Sequence, residues 1–487
     1  MMVRLELRER DGDPLYRQIY AQLRDAILEG RLPPGSKLPP TRSLADEHGI
    51  GRLTAIQAYN QLEAEGYVEA RRGAGTFVAE DLPALTEEDG ENGRFVPELS
   101  QWGRRVKTFG DRYQPASDAR GGHAHFDVDF GFGRSFPHIF PYGVWRRLLA
   151  RYLSTDDAML SRYGSVSGFQ PLREAIADYV QRLRGVTCTT EQVVVVNGVQ
   201  QALDLLARLL LDEGDEVLVE TPGYTDAFAL FRVHGARLRA LPVDEQGFPV
   251  EAIPADSQAR VAFVTPAHQF PKGGAMPLAR RLALLQWARE ADALVIEDDY
   301  DGALRYEERP LAALQGLDEE GRVIYLGTFS KVLFPALRLG YVILPPALLQ
   351  PFVRGKAIVD RGAPTLTQAA VADFIVEGHF ERHLRRLRKA YGERRETLIE
   401  ALERLIPGDT HFSREPAGLH VMLYLDPTCD EEEVVRRTAA AGVRVYPGAT
   451  YHLEPDPPPS VLLGFSGLRP EEIVEGVRRL AAVLAQR

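Results

Sequence analysis

Five polar motifs, each closing an apolar run, carry residue types that could do chemistry together. Asn197-Gly198-Val199-Gln200-Gln201 follows the first run and opens a helical stretch, where free backbone amides suit a phosphate. Thr221-Pro222-Gly223-Tyr224, Thr265-Pro266-Ala267-His268-Gln269 and Asp298-Asp299-Tyr300-Asp301 close the next three. Gly327-Thr328-Phe329-Ser330-Lys331 closes the fifth, and Arg338 lies seven residues beyond the lysine. A lysine amine can form an imine with an aldehyde. A buried carboxylate can keep a pyridine nitrogen protonated, which makes the ring an electron sink. A phenol can hydrogen-bond a ring hydroxyl, and an aromatic face can stack on the ring. An arginine, hydroxyls and helix-start amides can hold a phosphate. Together these are the needs of pyridoxal 5′-phosphate (PLP). The chain has only six lysines, so one inside GTFSK is notable. Lys331 alone would read as a loop lysine and Asp298 alone as a loop acid; the weight lies in five motifs in order.

The elements that must position these residues are short strands alternating with helices. Strand candidates are 192–197, 216–220, 260–265, 293–298, 323–328 and 339–344, with helical stretches such as 199–211 and 277–290 between them. Continuous Val/Ile/Leu runs imply strands buried on both faces, and the alternation implies a largely parallel α/β sheet. In such sheets ligands sit at the carboxyl ends of the strands, where the five motifs fall. After about residue 350 come a long basic amphipathic helix, HFERHLRRLRKAYGERRETLIEALERL, and a smaller α+β unit.

The first segment has a different plan. Residues 14–30 place Leu15, Ile19, Leu23, Ala26 and Ile27 at helical spacing, with Gly30 as a stop. A Pro/Gly turn comes next, then a short helix that Thr41 can cap, with Leu44 and Ala45 inward. Gly49 and Gly51 bracket a tight turn. A third helix, roughly 52–65, carries Ala55, Ile56, Tyr59 and Leu62 on one face. Two short strands flank Arg71-Arg72-Gly73-Ala74-Gly75. Helix, helix, turn, helix, hairpin is the winged helix-turn-helix plan, in which one helix enters the major groove and the hairpin reaches the flanking backbone or minor groove.

Composition sets the outer bounds. Lys+Arg number 58 and Asp+Glu 69, giving net −11, with 45% hydrophobic residues: a globular chain of several domains. Residues 14–79 hold eight basic and seven acidic residues, net +1, so the remainder carries −12 and the average does not exclude nucleic acid. Two cysteines, Cys188 and Cys429, exclude a disulfide framework and a Cys-rich zinc module. No run approaches a membrane span, and the charged start is not a secretory signal, so a cytoplasmic protein with no membrane partner is expected. Residues 80–125 read as a polar, acidic, Gly-rich linker whose middle could dock through Phe95, Leu99 and Trp102. His123 and His125 within it lack a third ligand, so no metal site is expected.

Both halves resemble known families. LPPTRSLADEHGIGRLTAIQAYNQLEAEGYVEARRGAGTFV resembles the DNA-binding domain of the GntR family almost throughout. Pro40 and Gly51 stand where that family usually has serines, which weakens two helix caps and removes no cation. The resemblance places Arg42 and Arg52 against DNA, with Thr54 and Gln57 near the groove and Arg71 and Arg72 on the wing. Residues 126–487 resemble a fold-type I aminotransferase through SRYGSVSGFQPLR, NGVQQALD, ETPGY, TPAHQFPKG, IEDDYDGALRY, LGTFSK and FPALRLGY. The combination is that of the MocR subfamily of bacterial regulators. The implied architecture is α/β: a winged helix-turn-helix domain (1–79), a linker (80–125) and an aminotransferase-like PLP-binding domain (126–487). That last domain is expected to hold a mostly parallel sheet and a small C-terminal α+β subdomain.

The resemblance also implies roles. Lys331 would form the aldimine with PLP, Asp298 would face the pyridine nitrogen, Tyr300 would meet the ring hydroxyl and Tyr224 would stack on the ring. Val199, Gln200, Thr328, Ser330 and Arg338 would form the phosphate site. Tyr163 and Gly164 lie in a motif that reaches the neighbouring subunit's site, which implies a head-to-tail homodimer with exchanged DNA-binding domains. Two positions depart from the aminotransferase pattern. Asp226 stands where GABA-responsive relatives place an arginine, and Leu462 where a carboxylate-binding arginine is expected; Arg469 is nearby but off the matching position. Losing a bidentate guanidinium removes much of the orientation of an α-carboxylate.

The expected function is therefore a PLP-dependent transcription regulator that binds double-stranded DNA at a promoter operator. It would sense PLP itself, as in vitamin B6 metabolism, or a small amine through the PLP aldimine, with at most slow half-transamination. The alternative is a PLP-dependent aminotransferase with an accessory DNA-binding domain; a purely structural use of the body is a third.

Overall fold

A computed structural model describes residues 5–7, 13–81, 97–110, 126–136, 138–154, 158–306, 311–406 and 411–486. The chain divides into two compact units, Met1–Glu98 and Leu99–Arg487.

The smaller unit contains α1 (Leu15–Leu28), α2 (Thr41–His48), α3 (Arg52–Ala64) and an antiparallel hairpin of β1 (Val68–Arg71) and β2 (Gly75–Val78). Ile19, Leu23 and Ala26 of α1 meet Leu44 of α2, Ala55, Ala58 and Leu62 of α3, and Val68 and Val78 of the hairpin. On α3 the buried face is Ala55, Ala58, Tyr59 and Leu62, so Ala58 replaces the expected Ile56, which is half-buried. Two alanines three apart let α1 come close, which a β-branched side chain would prevent. Neither short helix has a side-chain cap: Pro40 and Gly51 occupy the cap positions, and Thr41 is the first helical residue of α2 instead of its cap.

The larger unit starts within the expected linker. Helix α4 (Gln101–Gly110) belongs to it, and Arg105 of α4 forms an ion pair with Glu213. Leu99 and Trp102 are 39% and 47% exposed. Phe95, His123 and His125 lie outside the described residues.

Beyond α4 the elements are β3 (Val128–Asp129), α5 (Tyr142–Leu153), α6 (Gln170–Arg184), β4 (Val193–Val196), α7 (Val199–Leu210), β5 (Glu216–Thr221), α8 (Thr225–Val233), β6 (Arg237–Pro242), β7 (Ala259–Val264), α9 (Leu278–Glu290), β8 (Leu294–Asp299), β9 (Val323–Thr328) and β10 (Gly340–Ile343). Next come α10 (Pro346–Val359), α11 (Thr365–Val376) and the 27-residue α12 (His379–Leu405). The central sheet runs β4-β10-β9-β8-β7-β5-β6, parallel except that β10 is antiparallel to both neighbours. Val194 and Val196 pack with Leu203 and Leu206 of α7 and Phe352 of α10. Val193 and Val195 face the opposite side with Ile176 of α6 and Val371 of α11. Cover on both faces is the physical reason for the unbroken valine run. The strand absent from the sequence expectation is β6: it is an edge strand, paired only through β5, and arginines at 237 and 239 break its apolar pattern.

The last part holds β11 (His411–Phe412), β12 (His420–Tyr424), α13 (Glu431–Ala440), β13 (Val443–Arg444), β14 (Tyr446–Pro447), β15 (Ser460–Gly464) and α14 (Pro470–Leu484). An antiparallel sheet, β11-β12-β15-β14, packs with α12 and α14. This subdomain is not wholly C-terminal, because β13 pairs in parallel with β3 from the start of the unit. That pairing places the chain after β3, including Phe132 and Gly133, beside β15. Among the described residues no helix is long and apolar enough to cross a membrane, and no His/Cys/Asp/Glu group is placed to hold a metal.

Candidate functional site

The carboxyl ends of β4, β5, β7, β8 and β9 share one edge of the sheet. Because β10 is antiparallel, it starts at that edge, with Gly340 opposite both Thr328 and Val196. Arg338, two residues before β10, therefore returns to the strand ends. One pocket opens there, lined by Val199, Gln200, Tyr224, Asp298, Tyr300, Thr328, Ser330, Lys331 and Arg338, together with Phe132, Gly198, Thr265 and Phe270. All nine residues expected from the sequence are brought together.

At one end, Gly198 precedes α7 with φ +92°, a conformation that favours glycine. A Cβ there would lie 3.1 Å from Arg338 Nη2, so the glycine makes room for the guanidinium. Arg338 itself adopts φ +49°, ψ +48° and donates from Nη2 to the Asn197 carbonyl at 3.3 Å. A non-glycine residue in this region is strained by about 1 kcal/mol or more. The strain aims a cation at the amide end of α7. Thr328 Oγ1 accepts from the Ser330 backbone at 3.1 Å, which fixes the turn before Lys331. Hydroxyls, helix-start amides and a guanidinium thus converge on a small volume, the chemistry of a phosphate cradle.

Strand alternation divides the acids of β8. Glu297 and Asp299 share one face: Glu297 accepts from the Leu314 and Gln315 amides at 2.8 and 2.9 Å, and Asp299 pairs with fully buried Arg184 at 2.7 Å. Asp298 points to the other face, into the pocket, and is 5% exposed. Burial first, then the neighbouring Asp299, push its carboxyl up to about 8, and Lys331 opposes the shift. Its Oδ1 is buried with no hydrogen-bond partner. A lone buried carboxylate oxygen costs free energy unless a donor meets it. A protonated ring nitrogen is such a donor, so this atom fits the cofactor that the sequence expects.

Lys331 places Nζ 4.3 Å from the centroid of the Phe132 ring. Gly133, at φ +71°, lies against that ammonium, and any Cβ there would collide with Nζ. Tyr300 exchanges a 2.8 Å hydrogen bond with His268 Nδ1, which is also 2.9 Å from Asp301 Oδ2. Burial, then Asp301, raises the Tyr300 phenol well above its ordinary range. Tyr224 starts α8, and its hydroxyl donates to Asp226 Oδ2 at 3.1 Å. Gln200 donates to the Asp226 carbonyl at 3.3 Å. Glu220, pushed up to about 7 by burial, accepts from Thr265 Oγ1 at 2.5 Å and its amide at 3.2 Å.

Phe132, Phe270 and His268 were missed as site residues by sequence reasoning. His268 and Phe270 belong to a quoted motif, so a signal existed; Phe132 comes from a segment that only the β3–β13 pairing places here. Leu462 is fully buried in a cluster with Phe270, Tyr300 and Met422, of which Phe270 and Tyr300 line the pocket, so the position expected to hold an arginine is a buried hydrocarbon. Arg469 caps α14 and pairs with Glu472 at 2.8 Å, 65% exposed, and does not replace it. Tyr163 is 86% exposed, beside Gly164.

In the smaller unit, Arg42 is exposed on α2, and Arg52 and Gln57 are exposed on α3. Leu53 between them is 76% exposed, and Thr54 is half-buried. Arg72 is exposed at the hairpin turn. Arg71, also exposed, donates to Glu80 at 2.9 Å and lies 4.8 Å from the Phe77 ring centroid.

Comparisons with known proteins agree with this division. Residues 15–78 match the family described as bacterial regulatory proteins, gntR family, and residues 139–480 match aminotransferase class I and II. The chain is 39% identical over 482 residues to the probable rhizopine catabolism regulatory protein MocR of Rhizobium meliloti, covering 97% of this chain and 94% of that one. It is 33% identical over 435 residues to the pyridoxine biosynthesis transcriptional regulator PdxR of Corynebacterium glutamicum, covering 88% and 86%. Among solved structures it is similar to LysN, the α-aminoadipate aminotransferase of Thermus thermophilus, solved with N-(5′-phosphopyridoxyl)-L-leucine. There the TM-score is 0.72 at 31% identity, over 80% of this chain and 98% of that one. With a helix-turn-helix unit and an aminotransferase unit in one chain, and full-length likeness to regulators built the same way, this protein belongs to the MocR type of GntR-family, PLP-dependent transcription regulators.

Proposed function

We propose that this chain is a DNA-binding regulator whose larger unit binds PLP at the β-strand ends and uses its occupancy as the signal. The observation that carries the proposal is the orphaned Asp298 Oδ1, buried in a pocket that also presents Lys331 and a phosphate cradle. When bound, PLP supplies an aldehyde that condenses with a primary amine and a protonated pyridine ring that withdraws electrons. Lys331 offers the amine, held over Phe132 with Gly133 leaving room for it. Asp298 holds the ring-nitrogen proton. Tyr300, kept protonated by burial and by Asp301, offers a donor to the ring hydroxyl. Arg338, Thr328, Ser330 and the amides of Val199 and Gln200 hold the phosphate, and Tyr224 stacks on the ring.

Arg42, Arg52, Thr54, Gln57, Arg71 and Arg72 form the DNA-reading set, with Arg71 also paired to Glu80 on the wing. Guanidiniums suit both guanine edges and phosphates, and a glutamine suits adenine. The working unit is a homodimer in the cytoplasm; exposed Leu160 and Tyr163 border one surface pocket with residues 360–366, which follow exposed Ile358 and Val359, and such a concentration of apolar groups supports an interface there. Binding at the pocket would bias an equilibrium between body states and so the spacing of two DNA-reading units. The test is a footprint on DNA upstream of its own gene, at physiological salt, with cofactor-free protein, with PLP, and with PLP plus amines. Protection that changes with PLP alone identifies a PLP sensor; protection that changes only with an added amine identifies an amine-responsive regulator. Absence of specific protection refutes the regulator reading and leaves the aminotransferase.

A further inference from the structure

Resting on the reading that Tyr300 offers a donor to the ring hydroxyl of PLP, we propose that His268 is the positioning residue that frees the Tyr300 proton for that task, by giving Asp301 a proton donor of its own. Three buried groups make a triangle. His268 Nδ1 lies 2.9 Å from Asp301 Oδ2 and 2.8 Å from the Tyr300 hydroxyl. Asp301 also reaches that hydroxyl. His268 is 5% exposed and Asp301 3%. A buried carboxylate oxygen needs a donor, and two groups of the triangle can supply one. If Tyr300 supplies it, the phenol proton is turned away from the pocket. If His268 Nδ1 supplies it, the phenol proton stays available.

The geometry selects Nδ1. Without a proton, Nδ1 would set its lone pair against a carboxylate lone pair at 2.9 Å, a contact between two acceptors. With the proton on Nδ1, the carboxylate is met, the phenol oxygen can share the same donor, and the hydroxyl proton is left to point into the pocket that Tyr300 lines. This holds whether or not Nε2 also carries a proton. Packing fixes the ring, because Gly418, at φ +84°, leaves no space for a side chain: a Cβ there would collide with His268 Cε1. Phe270 and Phe132, whose ring centroids lie 5.6 and 6.1 Å from that of Tyr300, bring no donor. Asp298 and Glu220 also act on the phenol, and Asp301 acts on Tyr306 as well. His420 is held down to about 3 by burial, then by His268, with a smaller push from Lys331, so it brings no charge.

The test is an absorbance titration against pH of full-length, PLP-loaded protein. A phenol that donates to the ring oxygen favours the charged form of that oxygen, so it lowers the pH at which bound PLP changes colour. Tyr300→Phe sets the full effect, a rise in that midpoint. His268→Leu should reproduce the rise, by about one pH unit or a 10-fold change in proton affinity, because Asp301 then takes the phenol proton. His268→Asn, which keeps an N–H near the place of Nδ1, should stay close to the parent. His268→Leu with Asp301→Ala removes donor and competitor together and should return toward the parent. A midpoint unchanged in His268→Leu but raised in Tyr300→Phe would overturn the proposal. So would an equal rise in His268→Asn or in the double variant, which would mark a general disturbance of the pocket. Loss of PLP from both single His268 variants, with Tyr300→Phe still loaded, would overturn it too, since a residue that acts through the phenol cannot matter more than the phenol. A midpoint that Tyr300→Phe does not move would refute the role of Tyr300 on which the proposal rests, and a parent that acquires no PLP absorbance would refute PLP binding itself.

Discussion

Asp298→Asn should stabilise the cofactor-free protein and weaken its grip on PLP, two effects of opposite sign from one atom. Burial pushes the Asp298 carboxyl from its ordinary 3.8 up to about 8. Because the folded value lies above the unfolded one, the group costs nothing below about pH 4, and its cost grows as pH rises toward 8. At pH 7 the folded chain holds a proton that the unfolded chain has released across about 3 units, which is about 4 kcal/mol at 1.4 kcal/mol per unit. Asparagine avoids that cost but buries an amide, at about 1–3 kcal/mol. The variant should therefore gain about 1–3 kcal/mol at pH 7. The gain should shrink by about 1.4 kcal/mol for each pH unit down toward 4. Urea unfolding followed by tryptophan fluorescence reads the right unit, because Trp102, Trp145 and Trp287 all lie in Leu99–Arg487. With PLP, losing a charged partner for the ring nitrogen should cost about 2–3 kcal/mol, or about 100-fold in affinity by absorbance titration. A variant no more stable than the parent at pH 8, or a difference that does not narrow toward pH 5, would refute the assignment of that buried proton.

Gly133→Ala puts an alanine in a φ +71° backbone and makes the flexible end of Lys331 shift, so it should weaken PLP binding by about 1–3 kcal/mol in an absorbance titration, less than Lys331→Ala does, while the DNA-reading unit stays folded by circular dichroism. Arg338→Gly should release about 1 kcal/mol of left-handed strain and raise cofactor-free stability, yet weaken PLP binding about 10–100-fold. Arg338→Ala should weaken PLP to the same degree without that gain. Arg184→Ala leaves Asp299 buried without its cation and should cost about 3–5 kcal/mol in urea unfolding, whether or not PLP is present. Arg52→Ala should leave unfolding unchanged, because the side chain is exposed, and lower the slope of DNA affinity against salt by about one if it contacts a phosphate.

Much of this site was legible because its residues cluster in sequence at strand ends. Five runs of valine, isoleucine and leucine announce strands buried on both faces, and the residues just past each run must lie at the ligand edge. The motifs leave direction within them open. IEDDYD offers four acids, and only the alternation of β8 separates Asp298, which enters the pocket, from Glu297 and Asp299, which hold backbone amides and Arg184. The edge strand β6 was invisible because half-covered strands admit arginine. Helix α4 lies in a stretch whose polar, Gly-rich flanks read as linker, and Arg105 on it pairs with Glu213.

The apolar cluster that Phe132 and Phe270 join was the least legible part of the site. Phe132 follows β3, Leu462 sits on β15 and Tyr446 on β14, more than three hundred residues apart along the chain at the extremes. No local pattern joins them. They meet because β13 pairs with β3 and because β15 packs its hydrocarbon face against Phe270 and Tyr300. Cofactor binding is thus encoded in short motifs that any one strand end displays. The apolar cluster is instead assembled by contacts between distant segments, with Leu462 at the position where the resemblance expects an arginine. Positions of that cluster can therefore differ between relatives while every strand-end motif stays the same.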